Sequence, residues 1–146
     1  MERWISHEAG HVMTALHLGF RFDSIEIFQG KPRTMCDVYA DGRTNEERYV
    51  FLAGGIAGET CDLGNYDRGA CGDDQAKISE LGGRPIETYL HAASEIINIH
   101  KGSFHELKTR IKIRTLERRM EGMIVGSGNT FGVLRRAEID RIWNTL

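Results

Sequence analysis

SHEAGHVMTALHLG, residues 6–19, decides how the rest of the chain is read. His7 and His11 stand four apart, and Glu8 directly follows the first of them. Around them Trp4, Ile5, Val12, Leu16 and Ala15 recur at helical spacing, so residues 2–18 read as a helix with Gly19 as its stop. Residues four apart on a helix lie on one face, one turn apart. Two imidazole nitrogens can then aim at a common point, where zinc accepts nitrogen at about 2.0–2.1 Å and leaves room for a third protein ligand and water. Glu8 lies about 100° round the helix from His7, poorly placed as a ligand but well placed beside that water. Zinc lowers the pKa of such a water to near 7. Glu8 can take its proton during attack on a carbonyl and carry it to the leaving amine. The H-E-x-x-H spacing therefore carries a mechanism. The plainer reading is an exposed helix start with two surface histidines; it leaves unexplained why Glu8 stands between them and why Ala9-Gly10 keeps the helix slim.

Two histidines do not close a zinc site. His17 is ten residues from His7, about 15 Å along the axis and too far to share the ion. Carboxylates and the distal histidines remain, and composition does not choose among them. His91, His100 and His105 read as helix-surface residues.

Working outward, SIEIF (24–28) alternates as a strand and TMCDVYA (34–40) is a second candidate, joined through QGKPR. TNEERYVFLAGGIAGE (44–59) opens with Thr44 and Glu47 in capping-box spacing. Its interior holds Ala53, Gly54, Gly55, Ala57 and Gly58, although each glycine costs a helix roughly 1 kcal/mol against alanine. Another helix crossing at close range is the simplest reason. CDLGNYDRGACG (61–72) reads as a loop. Helices follow over 73–81, over 85–100 with Pro85 in its first turn, and over 103–123 with Ser103 and Glu106 as a capping box. SGNT (127–130) breaks the chain before a terminal helix over 135–143. The expected fold is α+β and predominantly helical, one domain over 1–146 with a small antiparallel sheet and a helical C-terminal half.

The 146 residues suffice for one real core, and 40% hydrophobic with 27% charged residues suits a globular chain. A net charge of −2 argues against a general polyanion binder. The best apolar run, VFLAGGIAG (50–58), is too short and glycine-broken to span a membrane. No signal peptide is legible ahead of the His-Glu pair. Three cysteines without CxxC spacing suit a reducing compartment, and the expectation is a cytoplasmic protein.

HEAGHVMTALHLG resembles the zinc helix of the FtsH-type metallopeptidases, in which HEAGH precedes a small-residue and aliphatic run. LAGGIAGE (52–59) is similar to that family's small-residue helix, a glycine pair followed by alanine and glutamate. RGACGDD (68–74) resembles its Gly-Ala-x-x-Asp segment, whose aspartate is the third ligand. The resemblance implies a zincin-like helical peptidase with one zinc per chain, His7, His11 and Asp73 as metal ligands, and Glu8 as general acid and base. Asp74 is one residue away, and Asp73 as a mere helix cap is a further alternative. Ile56 stands where the family usually has arginine, and Gly72 where it has a small polar residue. The likeness covers about the first 80 residues by motif. The expectation is a domain without the family's ATPase module and membrane anchor: Gly64 and Gly69 have Walker A spacing, but Ala70-Cys71 follows in place of Lys-Ser/Thr. The implied activity is an ATP-independent, stand-alone zinc metalloendopeptidase acting on peptides or flexible segments. The alternative is a catalytically weak binding or regulatory module on the same scaffold.

Three further features have two readings each. TMCDVYA is either an edge strand offering β-addition to an extended peptide or one arm of a structural hairpin. The seven basic residues between Lys101 and Arg119 interleave with Phe104, Leu107, Ile111, Leu116 and Met120, which favours an amphipathic helix with a solvated basic face over a nucleic-acid surface. Cys61 and Cys71 flank the loop before Asp73 and read either as soft ligands for the metal or as plain thiols, and their ten-residue separation, which fits no zinc-finger spacing, favours the second.

Overall fold

The computed structural model describes residues 2–28, 31–39, 42–120 and 130–145. The chain runs α1 (Glu2–Leu18), β1 (Phe22–Phe28), β2 (Lys31–Cys36), α2 (Asn45–Leu52), α3 (Gly54–Leu63), α4 (Gly72–Glu80), α5 (Leu90–Ile99), α6 (Lys101–Met120), β3 (Thr130–Arg135) and α7 (Arg136–Thr145). Single 3-10 turns at Arg68–Cys71 and Ile86–Tyr89 lead into α4 and α5. The fold is α+β and mostly helical, with one antiparallel sheet of order β2-β1-β3. Among the described residues, no helix is long and apolar enough to cross a membrane.

α1 lies at the centre. It packs on α3, α6, β2, α2 and α5, and everything from Ser6 to Ala15 except Glu8 is buried. A helix so enclosed buries polar side chains too. Thr14 meets this by donating back to the Gly10 carbonyl, and Ser6 by donating to the Asp62 carboxylate. Gly19, at φ 79°, then turns the chain out of the helix in the left-handed conformation that glycine adopts without strain.

The small-residue run does what its composition suggests. A Cβ on Gly10 would collide with the Gly54 carbonyl oxygen, and one on Gly58 with the Ser6 carbonyl oxygen. α1 and α3 therefore cross backbone to backbone. The run is not one helix, however. α2 stops at Leu52, Ala53 serves as the joint, and α3 continues to Leu63, three residues into the expected loop. The Thr44–Glu47 capping box is formed, with reciprocal bonds of 3.1 and 3.0 Å.

Other boundaries shift for identifiable reasons. β2 begins at Lys31 and ends at Cys36, so three of the five residues of the expected connection are strand, with Pro32 paired opposite Ile27. β2 is a sheet edge, where proline is tolerated. α6 starts at Lys101, leaving Ser103 buried inside the helix rather than capping it. Residues 121–123 of the expected helix, Ala40 of the expected strand and 127–129 of the expected break lie outside the described residues. β3 was not legible: it pairs with β1, Leu134 opposite Ile25, a partner more than a hundred residues away.

Candidate metal centre

His7 and His11 project from the buried face of α1, 8% and 6% exposed, toward α3 and the start of α4. Gly55 makes the room. A Cβ there would strike Nε2 of both imidazoles. Each ring is then fixed from behind. His7 Nδ1 donates to Glu59 Oε2 at 2.7 Å, and His11 Nδ1 donates to the Phe51 carbonyl at 3.0 Å. These bonds put the ring proton on Nδ1 in both residues and turn both Nε2 atoms to the same spot. Outer partners of this kind set the tautomer and orientation of metal-binding histidines.

Asp74 completes the group. Its Oδ2 lies 3.1 Å from His7 Nε2 and 3.2 Å from His11 Nε2, and the two Nε2 atoms are 3.1 Å apart. Tetrahedral ligands at about 2.0–2.1 Å from zinc stand about 3.3–3.4 Å from one another. The triangle is therefore within a few tenths of an ångström of a zinc ligand set. Of the described residues, this is the group of three whose donor atoms converge for a metal ion.

The geometry brings Asp74, and not the expected Asp73, to the two histidines. Both aspartates sit in the first turn of α4, and successive helical residues point about 100° apart, so only one can face α1. The rotation of α4 is set by its core residue. Ile78 is fully buried and lies four residues after Asp74, on the same face; Cys71, three residues before, is buried as well. Asp73 instead shares the exposed side with Lys77. Cys71, Asp74 and Ile78 at spacings of three and four were a usable signal in the sequence.

Glu59 is the residue that the sequence reading left out of the site. It is completely buried, and besides His7 its Oε1 accepts from Arg3 Nη1 at 2.9 Å and from the Asp67 amide at 3.1 Å. Burial alone would raise its pKa, but these bonds and the His7 charge hold it below the ordinary value. Its place at the end of LAGGIAGE, a charged residue among small ones, was the signal for it.

The carboxylates around His7 favour a charge on its ring. Burial opposes a charge on His7, but the bonds to Asp74 and Glu59 and the charges of Glu8 and Asp74 outweigh it and raise its pKa to about 10. Asp74 is held well below the carboxylate range, against its own burial, by His11 and His7.

Glu8 is the half-buried exception on this stretch of α1. With the two histidines, Asp74 and Thr34, it lines a cleft of about 520 Å³ open to solvent. Cys36 lines it too, but burial and the charges of Asp37 and Asp23 push its thiol up to about 12, so it is a poor ligand. Cys61 is exposed, and Cys71 donates its thiol to the Arg68 carbonyl. His17 is remote from the centre and bonded to His100 at 2.9 Å. On α6, Phe104, Leu107 and Ile111 face the core, whereas Leu116 and Met120 are exposed, so only its first half is amphipathic as expected. Compared with known proteins, the chain matches no family model and no curated sequence.

Proposed function

We propose that the chain is a zinc-dependent metallopeptidase domain of FtsH type, with His7, His11 and Asp74 holding the ion. The observation that carries this reading is the triangle of three acceptors, 3.1–3.2 Å on each side, with both imidazoles locked from behind by Glu59 and the Phe51 carbonyl. Three acceptor atoms aimed at one another repel unless a cation or proton lies between them. Glu8 opening onto the same cleft supports catalysis over mere metal storage.

When bound, zinc supplies a Lewis acid that makes water nucleophilic near neutral pH. The remaining work falls to this chain. Glu8 accepts a proton from the attacking water and returns it to the leaving amine. Buried Glu59 keeps the His7 ring in its ligand orientation. The open cleft receives a peptide or flexible segment as substrate.

The test is elemental analysis of purified protein offered zinc, followed by cleavage of fluorescently labelled β-casein, an unfolded substrate. One zinc per chain, with cleavage abolished in Glu8→Gln while zinc is retained, supports the reading. A folded protein that takes up no zinc overturns it, and zinc uptake without Glu8-dependent cleavage favours a binding module on the same scaffold.

A further inference from the structure

Glu8 is held twice by one residue of a sheet edge. The Thr34 amide donates to Glu8 Oε2 at 2.7 Å, and Thr34 Oγ1 donates to the Glu8 backbone carbonyl at 3.3 Å. Thr34 lies in the middle of β2, opposite Ile25 of β1, and β2 is an outer strand of the sheet. Its N–H is turned away from β1, on the side where an edge strand ordinarily faces solvent or an incoming strand. Here that donor is committed to a carboxylate.

A glutamate side chain is long and rotamer-rich, and a proton-transfer group works only within hydrogen-bond reach of its proton. An amide bonded to one carboxylate oxygen removes that freedom while the other oxygen is left for chemistry, and such charge-assisted bonds are the strong ones. Both Glu8 and Thr34 line the metal cleft. We propose that the backbone amide of Thr34 is the positioning group for Glu8, fixing its carboxylate for proton transfer at the metal centre. This rests on the metallopeptidase reading.

If the amide acts, the side chain at 34 is secondary and the N–H is not. Proline removes that N–H together with the hydroxyl and its bond to the Glu8 carbonyl. It costs no bond to β1, because the N–H points the other way, and Pro32 already occupies the same side of β2 two residues earlier. Valine keeps the amide and the branched shape and removes the hydroxyl.

The experiment compares Thr34→Pro with Thr34→Val for zinc content, circular dichroism, and kcat and KM on labelled β-casein. Both variants are expected to fold and hold one zinc. Thr34→Pro is expected to lose at least about tenfold more in kcat than Thr34→Val, at little changed KM, a fraction of what general acid–base catalysis contributes. Equal kcat in two folded variants overturns the proposal. A second readout needs neither activity nor the proline variant. In the metal-free wild type, the Thr34 amide should exchange its proton slowly and become fast in Glu8→Ala, and an amide indifferent to Glu8 overturns the clamp. A wild type that shows this coupling but cleaves nothing brings down the peptidase reading, and the catalytic role of the clamp with it.

Discussion

His7 Nδ1 donates to Glu59 Oε2 at 2.7 Å inside a helix crossing where Glu59 has no solvent contact. This bond fixes the ring whose other nitrogen faces His11 and Asp74. Replacing Glu59 with glutamine keeps the volume but weakens the hold on the ring. Outer partners of metal ligands are worth about 10–100-fold in affinity, and Glu59→Gln is expected to lose about that much, measured by zinc competition with a chelator. Unchanged affinity would mean that Glu59 serves only Arg3 and the Asp67 amide.

The two adjacent aspartates should separate cleanly. Asp74→Ala is expected to lose zinc, and Asp73→Ala, altering an exposed side chain, to retain one per chain with unchanged thermal stability. Elemental analysis of the two proteins decides it. Retention by Asp74→Ala and loss by Asp73→Ala would require α4 to be rotated by about 100°.

The glycines of α1 and α3 divide by what an added methyl group meets. On Gly10 or Gly58 it meets backbone of the facing helix, which cannot swing aside. Gly10→Ala and Gly58→Ala are expected to destabilise by about 1–3 kcal/mol or more, as overpacked cores do, read as a lower midpoint in urea. On Gly55 it meets the tips of two imidazoles, which can turn away. Gly55→Ala should therefore stay folded and lose zinc. Full zinc content in that variant would contradict the proposed centre.

Acid sensitivity should trace in part to Asp62. It accepts from Ser6 Oγ at 2.5 Å and from Lys108, joining α3 to α1 and α6. Burial would raise its pKa, but the bonds from Lys108 and Ser6 and the Lys108 charge lower it from 3.8. A folded-state pKa below the unfolded one stabilises above the unfolded value, and this is lost as pH falls through the folded one. Wild type should exceed Asp62→Asn in stability at neutral pH, and the gap should close below about pH 3.8. Urea unfolding at several pH values measures this, and a gap independent of pH would rule out the carboxylate charge as its source.

Much of the candidate site was legible because it is local. A helix fixes His7, Glu8 and His11 relative to one another through its own pitch, so their spacing sufficed to name them. The Thr44–Glu47 cap is local in the same way. The glycine run was legible for a different reason: glycines that weaken a helix need a neighbour close enough to require them.

What the sequence determined by itself is thus the α+β, mostly helical composition, the HExxH face of α1 and the presence of a close partner helix. Tertiary structure decided the rest, because it depends on how separate elements are rotated and paired. The rotation of α4, anchored by Ile78, selects Asp74 over Asp73. The α1–α3 crossing brings Glu59 behind His7. The sheet takes β3 from a hundred residues away and leaves β2 at the edge, with the Thr34 amide facing Glu8. Each of these is a contact between groups far apart in sequence, fixed by packing around one enclosed helix and not by the pitch of any single one.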